Sequence, residues 1–456
     1  MTGESTIAVK GSVDDVVARI ERMPISAWHL KARFIVGVAT FFDGFDALAI
    51  AYVLPVLAPQ WHLGPGQIGL LLSASFFGQL LAALFFGWFA ERFGRMPAII
   101  WSTMIYSVMS LACAFAWDFN SLLVMRTLQG IGIGGEVPVA ITYIAELSRA
   151  ERRGRFMLLY ELVFPVGLVA AVVVGALVVP HIGWQWLFVI GALPALVVAF
   201  MQRMLPESPR WLATKGRHAE ADAVVSMIER AVEQSSGPLP PVRPMVRARE
   251  RAASFADLFG GEYLGRTLTA WVIWAACFFC NFGLVVWLPS IYRTVFQMSI
   301  SDALIYTLMT QAVGLVGCLI CALWIDQLPR RAWFGGAFLG AAVFFLSLGR
   351  TAATSPVEVL VMSSAAYFFI SQISIGLYLY TPEIYPTRVR AFGMTTAGCW
   401  SRIASFLGPN IVGAVMAAWS LNAVFLIFGV AASVGAIVAG TWITETRHKV
   451  LEQISP

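Results

Sequence analysis

The amino-acid sequence predicts an all-α membrane protein of 12 transmembrane helices in two pseudo-symmetric six-helix bundles. Three observations carry that expectation: an apolar composition, twelve long apolar runs split six and six by a polar break, and charge motifs that recur in both halves. Of 456 residues, 59% are hydrophobic and 12% charged, where a soluble domain carries about 25% charged residues. A mean hydropathy of +0.76 fits surfaces solvated by lipid tails.

Residues 1–30 are polar and lack the basic start, short apolar core and small-residue cleavage site of a signal peptide. Val13, Val16, Val17, Ile20 and Met23 recur there at helical spacing, which suggests an amphipathic helix on the membrane face, with a partly ordered tail as the alternative. Runs able to cross about 30 Å of hydrocarbon follow at 34–57, 67–90, 98–117, 119–145, 156–180 and 184–204, giving a first bundle over 31–204. The linker, 205–265, carries Pro238, Pro240, Pro241 and Pro244 with Arg243, Arg247, Arg249 and Arg251, a composition that cannot span a membrane. Within it, Ala219 to Val232 reads as an amphipathic surface helix. A second set at 266–290, 303–325, 332–349, 357–381, 391–416 and 420–443 forms a bundle over 266–444, and 445–456 is a tail.

Of 31 Lys and Arg, only Arg293 and Arg350 fall in loops of the opposite side and only Arg126 and Arg402 well inside spans, Arg203 and Arg266 standing at span ends. Both termini and the linker are therefore expected in the cytoplasm. Six cysteines all lie in apolar runs, two pairs at CxxC spacing; at that depth they read as packing residues rather than metal or redox sites. No nucleophile and base or metal-ligand set is recognisable in any loop, which counts against an enzyme; no cofactor and no nucleic-acid partner is expected.

Two charge clusters repeat. Gly87-Trp-Phe-Ala-Glu91-Arg92-Phe-Gly94-Arg95 after the second run is echoed by Trp324-Ile-Asp326-Gln-Leu-Pro-Arg330-Arg331 after the eighth, and Glu146 with Arg152, Arg153 and Arg155 by Glu383 with Arg388 and Arg390. Matching offsets argue for a duplication with parallel halves.

These motifs resemble the major facilitator superfamily over essentially the whole chain, although Met96 replaces a usual second basic residue and the copy at Asp326 is degenerate. Arg126-Thr-Leu-Gln-Gly130-Ile-Gly132-Ile-Gly134-Gly135-Glu136, Pro206-Glu207-Ser208-Pro209-Arg210 and Pro382-Glu383-Ile-Tyr-Pro-Thr-Arg388 look like the branch of sugar porters, organic ion transporters and bacterial metabolite:proton symporters. Phe41-Phe-Asp43-Gly-Phe-Asp46, Gly134-Gly-Glu136-Val-Pro138 and Trp287-Leu-Pro-Ser290 look closest to bacterial niacin transporters, with aromatic acid:proton symporters as neighbours. The seventh run, Cys277-Phe-Phe-Cys-Asn281-Phe-Gly, lacks the glutamines of sugar porters. The resemblance implies alternating access and a monomer. The short loop from Ala58 to Gly66 and the absence of an N-x-Ser/Thr sequon point to a bacterial inner membrane.

An ionisable group at bilayer depth is a functional hypothesis, and six qualify: Asp43, Asp46, Arg126, Glu136, Glu161 and Arg402. Asp43 and Asp46 share a helix face and suit proton handling, or one of them pairs structurally with Arg126. Glu136 is a second proton site or the structural partner of Arg126, and Glu161 divides the same way. Arg402 presents a guanidinium fork to a carboxylate; in related organic ion transporters Arg at this place implies an anion, while a permanent pair with a buried acid is the alternative. In this fold, Tyr367, Phe368, Gln372 and Asn281 rank first as substrate contacts, then Trp287, Gln311, Tyr378 and Trp400. Glu91, Arg92, Arg95, Glu146, Arg153, Glu207, Arg210, Glu383 and Arg388 read as a cytoplasmic gate pairing across the halves when the inner side is closed, or as charges obeying only the positive-inside rule.

The sequence thus points to a proton-coupled importer of a small aromatic carboxylate, nicotinate first. Hydroxybenzoate, shikimate, organic cations or sugars, and a non-transporting sensor, are the alternatives.

Overall fold

A computed structural model describes residues 10–149, 160–242, 255–351, 355–386 and 389–446. Its first half comprises α1 (Val13–Glu21), α2 (Ala27–Gln60), α3 (Pro65–Phe93), α4 (Arg95–Cys113), α5 (Phe119–Leu147), α6 (Val163–Val178), α7 (Gln185–Gly191) and α8 (Pro194–Met204). The linker adds α9 (Pro209–Thr214) and α10 (His218–Ser236). The second half comprises α11 (Gly261–Val285), α12 (Leu288–Thr294), α13 (Ile300–Trp324), α14 (Arg330–Arg350), α15 (Pro356–Glu383), α16 (Arg390–Ala418) and α17 (Leu421–Trp442).

Counting α11 with α12, eight spans are long and apolar enough to cross a membrane. The bent α3, the short α6, the broken α7–α8 pair and α16, which carries Arg402 and Asn410, complete twelve passes. The breaks have local causes: Pro194 opens α8, and Pro289 lies in the first turn of α12, where a missing N–H is tolerated. With twelve passes, one face of the bundle bears both termini and the linker; the other is called here the far face.

Small residues set the packing within the first half. A Cβ on Gly130 would meet the Ser75 backbone, on Gly134 that of Gln79, and on Gly132 that of Tyr106, so α5 lies against α3 and α4 at backbone distance. The expected packing role of these glycines is what the structure shows.

The halves touch most extensively through α3 and α16, and also where α6 packs on α13 and α2 on α12. Asn410 donates to Ser73 at 2.7 Å, Phe77 faces Phe406 with ring centroids 5.5 Å apart, and a Cβ on Gly69 or Gly413 would collide with the carbonyl of Pro409 or Pro65. All of these lie toward the far face, where α3 begins and α16 ends.

The helix expected on the membrane face is docked instead. The Arg19 guanidinium of α1 pairs with Asp222 (2.5 Å) and Glu229 (2.6 Å) of α10, and Arg22 adds Glu229 at 2.7 Å. Val16, Ile20 and Met23 are buried with Trp211, Val225 and Ile228. An apolar stripe is buried equally well by protein or lipid, and the ion pairs decide the choice. Hydrogen bonds from Arg19 hold the Asp222 carboxyl below its ordinary range. Burial works against ionisation at Glu229, yet its bonds to Arg19 and Arg22 leave it lowered too.

Candidate functional site

The termini face carries the same device twice. In the first half, Arg95 pairs with Glu91 at 2.8 Å and Glu146 at 2.9 Å and donates to the Ala90 carbonyl at 3.0 Å. In the second, Arg330 pairs with Asp326 at 2.8 Å and Glu383 at 3.2 Å and donates to the Ile325 carbonyl at 2.7 Å. Each arginine begins a helix whose first N–H is capped by a distant acid: Arg95 N by Glu207 and Arg330 N by Glu445, both at 3.0 Å. A carboxylate there satisfies orphan donors and the positive end of the helix dipole. Burial pushes the Glu207 carboxyl up, against the hydrogen bonds from Ser208, Arg95 and Met96. Gly94 has φ +114° and ψ 164°, a conformation essentially restricted to glycine, and a Cβ there would strike the Glu207 carboxylate.

The Arg95 and Arg330 clusters each close within their own half, so the pairing expected across the halves when the inner side is closed is not formed by these two clusters. Arg92 lies over the Trp88 and Phe93 rings, and Arg210 pairs with Glu21 at 3.7 Å. Arg153 and Arg388 lie outside the described residues.

At mid-depth, the first half holds the acids. Asp46 is fully buried, with its Oδ1 3.2 Å from Ser110 Oγ. Arg126, also fully buried, donates to Gln129 Oε1 at 2.6 Å, Ser75 Oγ at 3.2 Å and the Asp46 carbonyl at 3.3 Å. It does not partner Glu136: ten residues along one helix separate them by about 15 Å. Glu136 Oε1 instead accepts from Thr40 Oγ1 at 3.2 Å, and Thr40 also bonds the Tyr160 hydroxyl. Asp43, one turn beyond Thr40, is within charge reach of Asp46 and of Arg402 in the other half.

The second half supplies the cation and the rings. Half-buried Arg402 donates Nη1 to the Gly398 carbonyl of its own turn at 3.3 Å. Among the described residues, its Nε has no hydrogen-bond partner and the side chain forms no ion pair. Tyr378 lies where Arg402, Asp43 and Glu161 converge electrostatically. Its ring meets Trp274 edge-on at 5.0 Å. Trp274 stacks on Phe278 at 5.4 Å and 10°, and Phe278 on Phe282 at 6.1 Å and 25°; Phe282 meets Phe76 of the first half at 4.6 Å. This stripe leads from beside Tyr378 to the junction of the halves. It was missed in the sequence, although its i, i+4, i+8 spacing on α11 was the available signal. Thr40, one turn before Asp43, was missed too.

Other expected substrate contacts are already engaged. Trp287 Nε1 donates to the Pro409 carbonyl at 3.0 Å and is a buried packing residue. Trp400 packs on Trp271 at 5.7 Å; two residues from Arg402, it points to roughly the opposite side of α16. Gln372 donates to the Phe368 carbonyl one turn back at 3.3 Å. Tyr367 donates to Gln311 at 3.2 Å, near Tyr52 of α2, in a second contact between halves. Asn281 is buried on α11.

A family model described as sugar (and other) transporter matches residues 34–456. A niacin transporter, NiaP, of Acinetobacter baylyi is 34% identical over 96% of this chain and 99% of its own. A putative niacin/nicotinamide transporter of Bacillus subtilis is 28% identical over 95% of this chain and 100% of its own. Among solved structures, a D-xylose-proton symporter aligns with a TM-score of 0.72 at 18% identity, covering 93% of this chain and all of the other.

Proposed function

We propose, for a chain that belongs to the sugar (and other) transporter family of the major facilitator superfamily and is a multi-pass membrane transporter rather than an enzyme, the proton-coupled import of a small aromatic carboxylate, nicotinate first. The observation that carries this reading is Arg402: a guanidinium at bilayer depth with no ion pair among the described residues, beside an aromatic stripe and facing an acid across the halves. An unpaired cation at that depth is costly, and a substrate carboxylate would supply its missing partner through charge-assisted hydrogen bonds. The relatives named for niacin point to the same class.

In this mechanism the carboxylate docks on Arg402 and the ring lies against Trp274, Phe278 and Tyr378. Protonation of the acids around Asp43 removes charge from the first half, so that the loaded carrier can turn about the α3–α16 contact. The charge clusters at Arg95 and Arg330 then re-pair across the halves as the termini face closes. The distribution of Lys and Arg supports cytoplasmic termini, the bacterial relatives support an inner membrane, and the reading takes the carrier as a monomer.

Counterflow of labelled nicotinate in proteoliposomes tests the proposal, with thermal shifts of the purified protein against nicotinate and nicotinamide. Stabilisation by nicotinate alone, with counterflow that unlabelled nicotinate drives, is the expected result. Equal stabilisation by nicotinamide, which has no carboxylate for Arg402, would overturn the anion clamp, and the absence of counterflow would overturn the substrate.

A further inference from the structure

The outer surface of the second half carries a groove that takes no part in the site above. It lies between α11 and α17 at the termini face and has a volume of about 540 Å³. Gly265, Leu268 and Val272 line it from α11, Val438 and Trp442 from α17, and Arg331 from the start of α14. The spacing of the first three sets them on one face of α11. From Gly265 to Val272 the groove follows α11 for about 10 Å, much of the roughly 15 Å of hydrocarbon in one leaflet. Leu268 and Val272 are exposed, and a Cβ on Gly265 would meet nothing within 4 Å.

Polarity is graded along this groove. Val272 and Val438 lie deeper in the bundle, whereas Trp442 ends α17 and Arg331 is the second residue of α14, both at the height where a membrane turns from tails to headgroups. The cation there is held in place: Arg331 Nε donates to the Ile443 carbonyl at 2.8 Å. Its two Nη groups have no hydrogen-bond or ion-pair partner among the described residues, while neighbouring Arg330 is taken by Asp326 and Glu383. Glu445, the acid at this end of α17, accepts from the backbone N–H groups of Arg330 and Arg331 at 3.0 and 3.4 Å. Arg266, next to Gly265, is engaged with the Ile384 carbonyl at 3.2 Å. The duplication offers a contrast, since the position after Arg95 that corresponds to Arg331 holds Met96, a buried residue.

We propose that this groove binds an anionic phospholipid of the leaflet on the termini side. The phosphate accepts from the two Nη groups of Arg331, a fork that matches two phosphate oxygens. One acyl chain lies in the groove along Leu268, Val272 and Val438. An anionic headgroup is preferred to a choline headgroup, because choline would bring a second cation beside Arg331. The site lies within one half and depends on no particular solute.

Native mass spectrometry of the purified protein, with phosphatidylglycerol or phosphatidylcholine of the same chains added, tests the proposal. Phosphatidylglycerol should bind at least ~10-fold more tightly, the scale of a hydrogen bond to a charged group. Arg331→Gln should abolish that preference. Gly265→Leu puts a side chain into the groove, leaves the Arg331–Ile443 bond intact, and should weaken both lipids. Arg203→Gln, which removes an exposed arginine of the same face at the end of α8, should change neither. Glycerol phosphate at the lipid's concentration should not displace it. Equal affinity for the two lipids, phosphatidylglycerol binding that survives both groove variants, an equal loss in Arg203→Gln, or displacement by glycerol phosphate would each overturn the site. If Arg331→Gln lowers the melting temperature without lipid, Gly265→Leu decides alone.

Discussion

The two halves share a backbone plan and a charge device, yet their mid-depth interiors are chemically opposite. The first half buries Asp43, Asp46, Glu136 and Arg126 among hydroxyls and amides. The second presents one cation, Arg402, beside stacked rings on α11. A buried acid in a low-dielectric interior responds to protons, whereas a guanidinium keeps its charge and selects anions by geometry. On the proposed reading, a duplicated fold separates two tasks, with energy coupling in one copy and ligand recognition in the other.

The largest test of that division is Arg402→Ala. Loss of a charge-assisted carboxylate contact should weaken nicotinate binding about 100-fold, on the order of 3 kcal/mol, as measured by calorimetry, with Arg402→Lys intermediate. A first-half change such as Asp46→Asn should leave that affinity almost untouched; equal losses would dissolve the comparison.

Next comes a place where the shared charge device differs in backbone. The residue before Arg95 is Gly94 at φ +114°, while the residue before Arg330 is Pro329 at φ −56°. Gly94→Ala should destabilise the protein by about 1–3 kcal/mol, visible as a lower melting temperature in detergent. Pro329→Ala should cost less than about 1 kcal/mol.

A smaller effect is expected on the stripe. Phe278→Leu keeps apolar volume but removes a stacking face worth about 0.5–1.5 kcal/mol. Affinity for nicotinate should fall about 3- to 10-fold, and affinity for an aliphatic carboxylate should not change.

The smallest effect concerns α1. Asp222 and Glu229 have folded-state values below their ordinary ranges, so their contribution to docking is present above those ranges and is lost as pH falls through the lowered values. Amide exchange should show α1 protected near neutral pH and released below about pH 4, with α14 and α17 unchanged. Glu229→Gln should shift the release upward in pH.

The fold was highly legible because each pass announces itself by about 20 apolar residues and the duplication is written in charges such as Glu91 and Asp326. Glu146 and Glu383 could be placed beside their arginines for the same reason. Partner choice was not legible. Nothing in the string tells that Glu136 bonds Thr40 rather than Arg126, because that depends on which helix lies across from it and at what height. Glu445 escaped notice since its likeness to Glu207 is positional: both cap a helix start from a remote segment. Trp287 and Trp400 looked like ring contacts because the sequence gives a side chain's chemistry without its direction.

The meeting of α3 and α16 has a practical consequence. Where Gly69 faces Pro409 and Gly413 faces Pro65, two backbones meet directly, as in a bearing machined without clearance. A side chain inserted there would act as a shim, prising the far face apart while leaving the ligand-contacting residues intact. Gly69 and Gly413 are accordingly the positions at which this carrier could be arrested facing the opposite way, for capture by an antibody or for structure determination.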